Sequence, residues 1–287
     1  MSKYFEKLVG GDGQTPEDWK EHLLEAHRKA PSMSPAAFAD CRSSGGQSSY
    51  DWLAEELPTD CDLVLDLGCG DGFLIPFLQR KLSAATKIAG IDMSEAELRL
   101  AEKRGLGKNV TLRRAEADAT GLAAASVDAV LCHMAFMLML PIESVVAEIL
   151  RVLKPGGIFA AVVSGRPGSQ ELFAKIRGHV GDFFAREFPK MTTPLTGDPR
   201  VQTESGLREV LAGFDTLTIS SDTFLARLSP QEVWDHIKNM YIIGSLPEPS
   251  RSRLEKTLVG LFESEEKSIG SLVLDFPATK FVATKKF

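Results

Sequence analysis

The sequence predicts a doubly wound α/β fold, and three observations carry that prediction. Leu63-Val64-Leu65 is a short apolar run of strand type. It is followed by glycines at 68, 70 and 72, and then by Phe73-Leu74-Ile75-Pro76-Phe77-Leu78, which opens an amphipathic helix. Further apolar runs then alternate with helical patterns as far as Val163. That alternation gives a parallel sheet with helices on both faces. Finally, 287 residues with 44% hydrophobic and 25% charged content can bury a large core as one elaborated domain.

The elements follow in chain order. The turn after the first strand is Asp66-Leu67-Gly68-Cys69-Gly70-Asp71-Gly72. Glycine accepts positive φ and lets a ligand touch backbone, and the helix N-terminus behind it favours a nucleotide-type ligand. A dinucleotide fingerprint is G-x-G-x-x-G. Here the spacing is G-x-G-x-G and Phe73 takes the place of the third glycine, which opposes a nicotinamide oxidoreductase. A second strand, Thr86 to Ile91, ends in Asp92, 24 residues beyond Gly68, near the usual offset of a ribose-binding carboxylate. Ser94 and Glu97 form a capping box for a helix to about Arg104. A third strand, Asn109 to Ala115, leads into Glu116 and Asp118. A fourth runs from Ser126 to His133, and a helix follows from Pro141 to Leu153. Lys154-Pro155-Gly156-Gly157 reads as a helix stop, a Pro turn and a Gly pair feeding the apolar strand Ile158 to Val163.

Together, Asp66 to Gly72, Asp92, Asp118 and the Leu153-Lys154-Pro155-Gly156-Gly157 marker resemble the motifs of class I S-adenosylmethionine-dependent methyltransferases, in family order over Asp62 to Val163. Within that family the chain looks most like the small-molecule branch around quinone C-methyltransferases and trans-aconitate methyltransferase. The resemblance implies a Rossmann-like sheet of seven strands in the order 3-2-1-4-5-7-6. Strand 6 falls near Asp215 to Phe224, and an antiparallel strand 7 near Ser271 to Lys285. It also implies S-adenosyl-L-methionine as cofactor. Its site comprises Asp66, Gly68, Cys69, Gly70, Asp71 and Gly72 at the turn, Asp92 on the ribose hydroxyls and Met93 on the adenine face. Asp118 accepts from the adenine amine, and the Ala119 N–H meets a ring nitrogen. Related enzymes often bring a Tyr or Arg from just upstream to the cofactor carboxylate, which points to Tyr50, with Arg42 second.

Substrate contacts are expected outside this core. Residues 1–58 read as an N-terminal helical lid: Thr15 and Pro16 open a helix with Trp19, His22, Leu23 and Ala26 on one face. Residues 59–287 read as the methyltransferase domain, with cap insertions near 165–205 and 229–268. His133, at the end of strand 4, is the candidate general base. Arg166 and His22 are the candidate substrate residues, Arg166 for an acceptor carboxylate. A carboxylate or thioether acceptor would need no base.

The net charge of −6 and the lack of a basic stripe argue against nucleic acid as partner. No signal peptide opens the chain, and Ala129 to Ile142 is too short to span a bilayer. Four cysteines without a C-x-x-C pair fit reduced, buried thiols, no metal site and a cytoplasmic location. The expected activity is methyl transfer to an O, N or C atom of a small molecule. The alternatives are an RNA or protein methyltransferase, and a catalytically idle domain that binds the cofactor or a partner. Oligomeric state is not legible.

Overall fold

The computed structural model describes residues 2–165 and 171–287. The chain divides into two compact units. One comprises Met1–Cys41, Pro167–Thr196 and Phe224–Phe276; the other comprises Arg42–Arg166, Gly197–Thr223 and Pro277–Phe287. The sequence reading set its first boundary at 58/59, but the division falls at 41/42. Residues 42–58 go with the sheet because helix Ser49–Ala54 seats Tyr50 on the ring of His133, the last residue of a central strand. The segment expected as an insertion near 165–205 also divides. Val201 and Leu207 lie buried in the hydrophobic core of the sheet.

Seven strands form one sheet: β1 Leu63–Leu67, β2 Lys87–Asp92, β3 Val110–Arg114, β4 Val127–His133, β5 Leu153–Ser164, β6 Thr216–Leu228 and β7 Leu272–Thr284. Their order is β3-β2-β1-β4-β5-β7-β6, as the resemblance implied. The pairings β3-β2, β2-β1, β1-β4 and β4-β5 are parallel, and β7 runs antiparallel to β5. Parallel strands covered on both faces must be apolar throughout. Val64, Leu65 and Leu67 of β1 and residues 129 to 132 of β4 are accordingly fully buried. Phe159 meets Phe136 and Phe281 edge-on at 5.1 Å each, the geometry aromatic quadrupoles prefer.

The Lys154-Pro155-Gly156-Gly157 segment departs from expectation. It is not a turn before the strand but part of β5 itself. Leu153 pairs with Val127 and Ile158 with Ala129, so the extra residues form an irregularity in the ladder. Proline has no N–H to donate, and bulges are where sheets tolerate it.

Helix Glu95–Lys103 starts directly behind β2, and Ser94 Oγ accepts from the Glu97 N–H. Ser94→Ala is expected to cost about 1 kcal/mol of stability. A thermal melt checks this, and an unshifted midpoint would show that the cap contributes nothing.

In the first unit, helices Lys3–Gly10 and Pro16–Lys29 pack rings of Tyr4, Trp19 and His22 together, with centroids 4.5 to 5.7 Å apart. The Thr15 capping box forms, and Lys7 reaches Asp18 at 2.6 Å. Helices Met33–Phe38, Glu171–Glu187, Pro230–Ile237 and Glu248–Ile269 also belong to this unit. No helix among the described residues is long and apolar enough to cross a membrane.

Candidate functional site

The site forms at the carboxyl ends of β1 and β2. Where β1 ends, the Gly68 and Cys69 N–H groups both donate to the Ile91 carbonyl, at 2.8 and 3.0 Å. The chain then turns through positive φ at Gly68, Gly70 and Gly72. At Gly68 a side chain is excluded twice over: φ is 70°, and a Cβ would lie 2.8 Å from the Ala135 Cβ. The Gly70 N–H donates to Asp92 Oδ2 at 2.8 Å, and the Ser94 N–H donates to Asp92 Oδ1 at 2.8 Å. Asp92 thus ties the glycine turn to the end of β2. A carboxylate oxygen has two lone pairs and can accept more than one hydrogen bond.

Asp66 lies beneath this turn, 1% exposed, and its Oδ2 has no hydrogen-bond partner among the described residues. Burial pushes its pKa up to about 8, with the nearby charges of Asp92 and Asp71 adding to the effect. An orphaned buried carboxyl beneath a backbone cradle fits a ligand that brings positive charge, as a sulfonium with an ammonium group does.

Other sequence candidates fall differently. Asp71 is buried, but its carboxylate is taken by the Arg104 guanidinium and the Phe73 N–H. That side chain clamps the turn to the helix end carrying Arg104. The Cys69 thiol packs toward Gly90, where a Cβ would come within 3.1 Å of it. Burial raises its pKa well above the ordinary thiol range, so it stays protonated. Only its backbone can serve a ligand. Met93 is half-buried, and its carbonyl accepts from Arg114 Nε at 3.2 Å. Asp118 is half-buried in the turn after β3. The Ala119 N–H, expected on a ring nitrogen, instead donates to the Glu116 carbonyl at 3.1 Å within that turn.

Tyr50 reaches the site from helix Ser49–Ala54, capped by Ser48. Its ring stacks on His133 at 3.8 Å and meets Phe77 at 5.3 Å and Phe73 at 4.8 Å. Arg42 is exposed. Ser49, which the sequence reading missed, is fully buried and its Oγ lies 2.9 Å from His133 Nε2. The Ser48-to-Asp51 spacing is the helix-start signal that could have revealed it.

His133 itself is 7% exposed, and burial pushes its pKa down to about 3. The ring carries Ser49 on Nε2 and Tyr50 on its face. Its NMR signals are expected not to titrate between pH 5 and 8. A titration near 6.5 would show that burial does not hold the ring neutral.

Arg166 lies outside the described residues. His22 belongs to the first unit, 2% exposed, with Nδ1 2.8 Å from Ser2 Oγ and Nε2 3.1 Å from the Tyr241 carbonyl. Both ring nitrogens are engaged, and burial holds its pKa below the usual range. Among the described residues no cluster of His, Cys, Asp and Glu could hold a metal ion.

Comparison with known proteins bears on the same segment. Residues 65–161 match a family model described as a methyltransferase domain. A ubiquinone biosynthesis O-methyltransferase from Hahella chejuensis is 34% identical over 123 residues, covering 42% of this chain and 50% of that protein. A carboxy-S-adenosyl-L-methionine synthase from Wolinella succinogenes is 31% identical over 113 residues, covering 38% and 47%. The chain thus spans about half the length of the curated relatives it matches. The crystal structure of YcgJ from Bacillus subtilis aligns over 83% of this chain and 98% of its own, with a TM-score of 0.55 at 15% identity, a likeness of fold.

Proposed function

We propose that this chain, whose residues 65–161 carry a methyltransferase domain, transfers the methyl of S-adenosylmethionine to a small-molecule acceptor and releases S-adenosylhomocysteine. The observation that carries the reading is the arrangement at the ends of β1 and β2. A glycine turn at positive φ follows Asp66, whose buried carboxyl is orphaned, and is tied to Asp92.

Bound there, S-adenosylmethionine supplies a methyl already activated as a sulfonium. Asp92 accepts from the ribose hydroxyls, and the glycines at 68, 70 and 72 offer backbone to the ligand. Asp66 offers negative charge to the cationic ligand. We assign Met93, Asp118 and Tyr50 to the same ligand. What remains for the protein is to hold the acceptor behind the methyl, and such alignment is worth roughly 7–11 kcal/mol. The name of the Hahella chejuensis relative favours a small-molecule acceptor for this chain too. The net charge of −6 supports the same choice over RNA.

The test uses labelled S-adenosylmethionine with fractionated small-molecule extracts, followed by mass spectrometry. The expected result is label in a small molecule, a mass gain of one methylene, and equimolar S-adenosylhomocysteine. Cofactor binding without turnover on any fraction would favour the idle-domain alternative.

A further inference from the structure

The first unit contains a cavity of about 310 Å³ that the methyl-transfer reading does not use. That volume sits at the small end of ligand pockets, which run roughly 300–1,000 Å³. One wall is a single stripe of helix Pro16–Lys29, with Ala26 and Lys29 on successive turns and Ala30 just beyond. The facing wall is the turn after helix Pro230–Ile237 and the first turn of helix Glu248–Ile269. It contributes Tyr241, Leu246 and Arg251.

The chemistry of these walls is divided. Ala26, Ala30 and Leu246 line the cavity with apolar surface, and Glu25, Lys29 and Arg251 line it with charge. Glu25 holds Lys29 at 2.6 Å. Glu248 holds one terminal nitrogen of Arg251 at 2.9 Å, and a guanidinium carries five N–H donors, so the ion pair does not exhaust Arg251. The helix that carries it starts at Pro247 without a side-chain cap, so its first turn favours negative charge as well.

We propose that this cavity binds a small organic acid. The carboxylate would lie between Arg251 and Lys29, and a compact apolar body would rest on Ala26, Ala30 and Leu246. Arginine presents its N–H groups in a planar fork that suits a carboxylate, and charge-assisted bonds of this kind are the strong ones.

Benzoate titrated into the full chain, followed by NMR, tests the proposal, with benzamide as a neutral probe of similar shape. Benzoate is expected to bind saturably and benzamide at least about tenfold more weakly, since the charge-assisted bonds are lost. Arg251→Gln is expected to weaken benzoate by a similar factor. Ala30→Met, which fills the cavity, is expected to block binding while the melting midpoint stays near that of the parent. If Arg251→Gln does not fold, benzamide and Ala30→Met decide the matter. Absence of saturable benzoate binding, equal binding of benzamide, or benzoate binding to both variants as to the parent would overturn the proposal. S-adenosylmethionine takes no part in this experiment, so its outcome is independent of the methyl-transfer reading.

Discussion

The affinity for S-adenosylmethionine is expected to rise steeply with pH up to about 8, and Asp66→Asn is expected to flatten that rise. In the ligand-free fold Asp66 holds its proton until about pH 8, because it is buried beside Asp92 and Asp71. A ligand carrying net positive charge favours the ionised carboxylate, so binding must expel the proton. Below pH 8 that expulsion weakens binding by up to tenfold per unit, or roughly 100-fold between pH 8 and pH 6. The amino group of the ligand also titrates, but it does so equally with both proteins and cancels in the comparison. Calorimetry in two buffers of different ionisation enthalpy counts the protons released. The same slope in wild type and Asp66→Asn would show that Asp66 takes no part.

The same group sets the stability of the ligand-free chain. Asp66 ionises near 3.8 when unfolded and near 8 when folded. Its contribution is therefore complete below pH 3.8 and is lost as pH rises through 8. His133 acts oppositely: its folded pKa lies near 3 against 6.5 unfolded, so its contribution is present above 6.5 and is lost as pH falls toward 3. Only Asp66 of these two changes between pH 6.5 and 8. Stability should fall there by about 1 kcal/mol per unit, and Asp66→Asn should remove the slope.

Asp92→Ala is expected to weaken S-adenosylmethionine by about 10- to 150-fold, the equivalent of losing charge-assisted hydrogen bonds worth about 1.5–3 kcal/mol. The structure adds a second consequence. The Gly70 and Ser94 N–H groups both lose their acceptor, which loosens the glycine turn and should lower the melting point even without ligand. Asp92→Asn keeps an acceptor oxygen and should recover part of the stability but little of the affinity. Unchanged calorimetric affinity in Asp92→Ala would refute the ribose assignment.

The centre of the sheet was legible because β1 and β4 are mostly apolar and buried and the glycines after β1 sit where backbone turns left-handed. Gly68 could be recognised from spacing, and the clash at its Cβ shows why. Asp71 was not legible as a clamp. Its partner Arg104 lies 33 positions away, and nothing local marks the pair. The burial of His133 was not legible, because its strand-end position says nothing of the Tyr50 ring stacked on it. The first unit draws on three separated segments, and the contact of His22 with the Tyr241 carbonyl spans 219 positions. Helix faces and caps were readable there, but the association of distant segments leaves no periodic signal.

A crystal structure of the chain with S-adenosylhomocysteine decides where the cofactor binds. Density is expected across the ends of β1 and β2, with the ribose hydroxyls on Asp92 and the amino-acid end against the glycine turn. A ligand lodged elsewhere, or those strand ends left empty at saturating concentration, would contradict this placement.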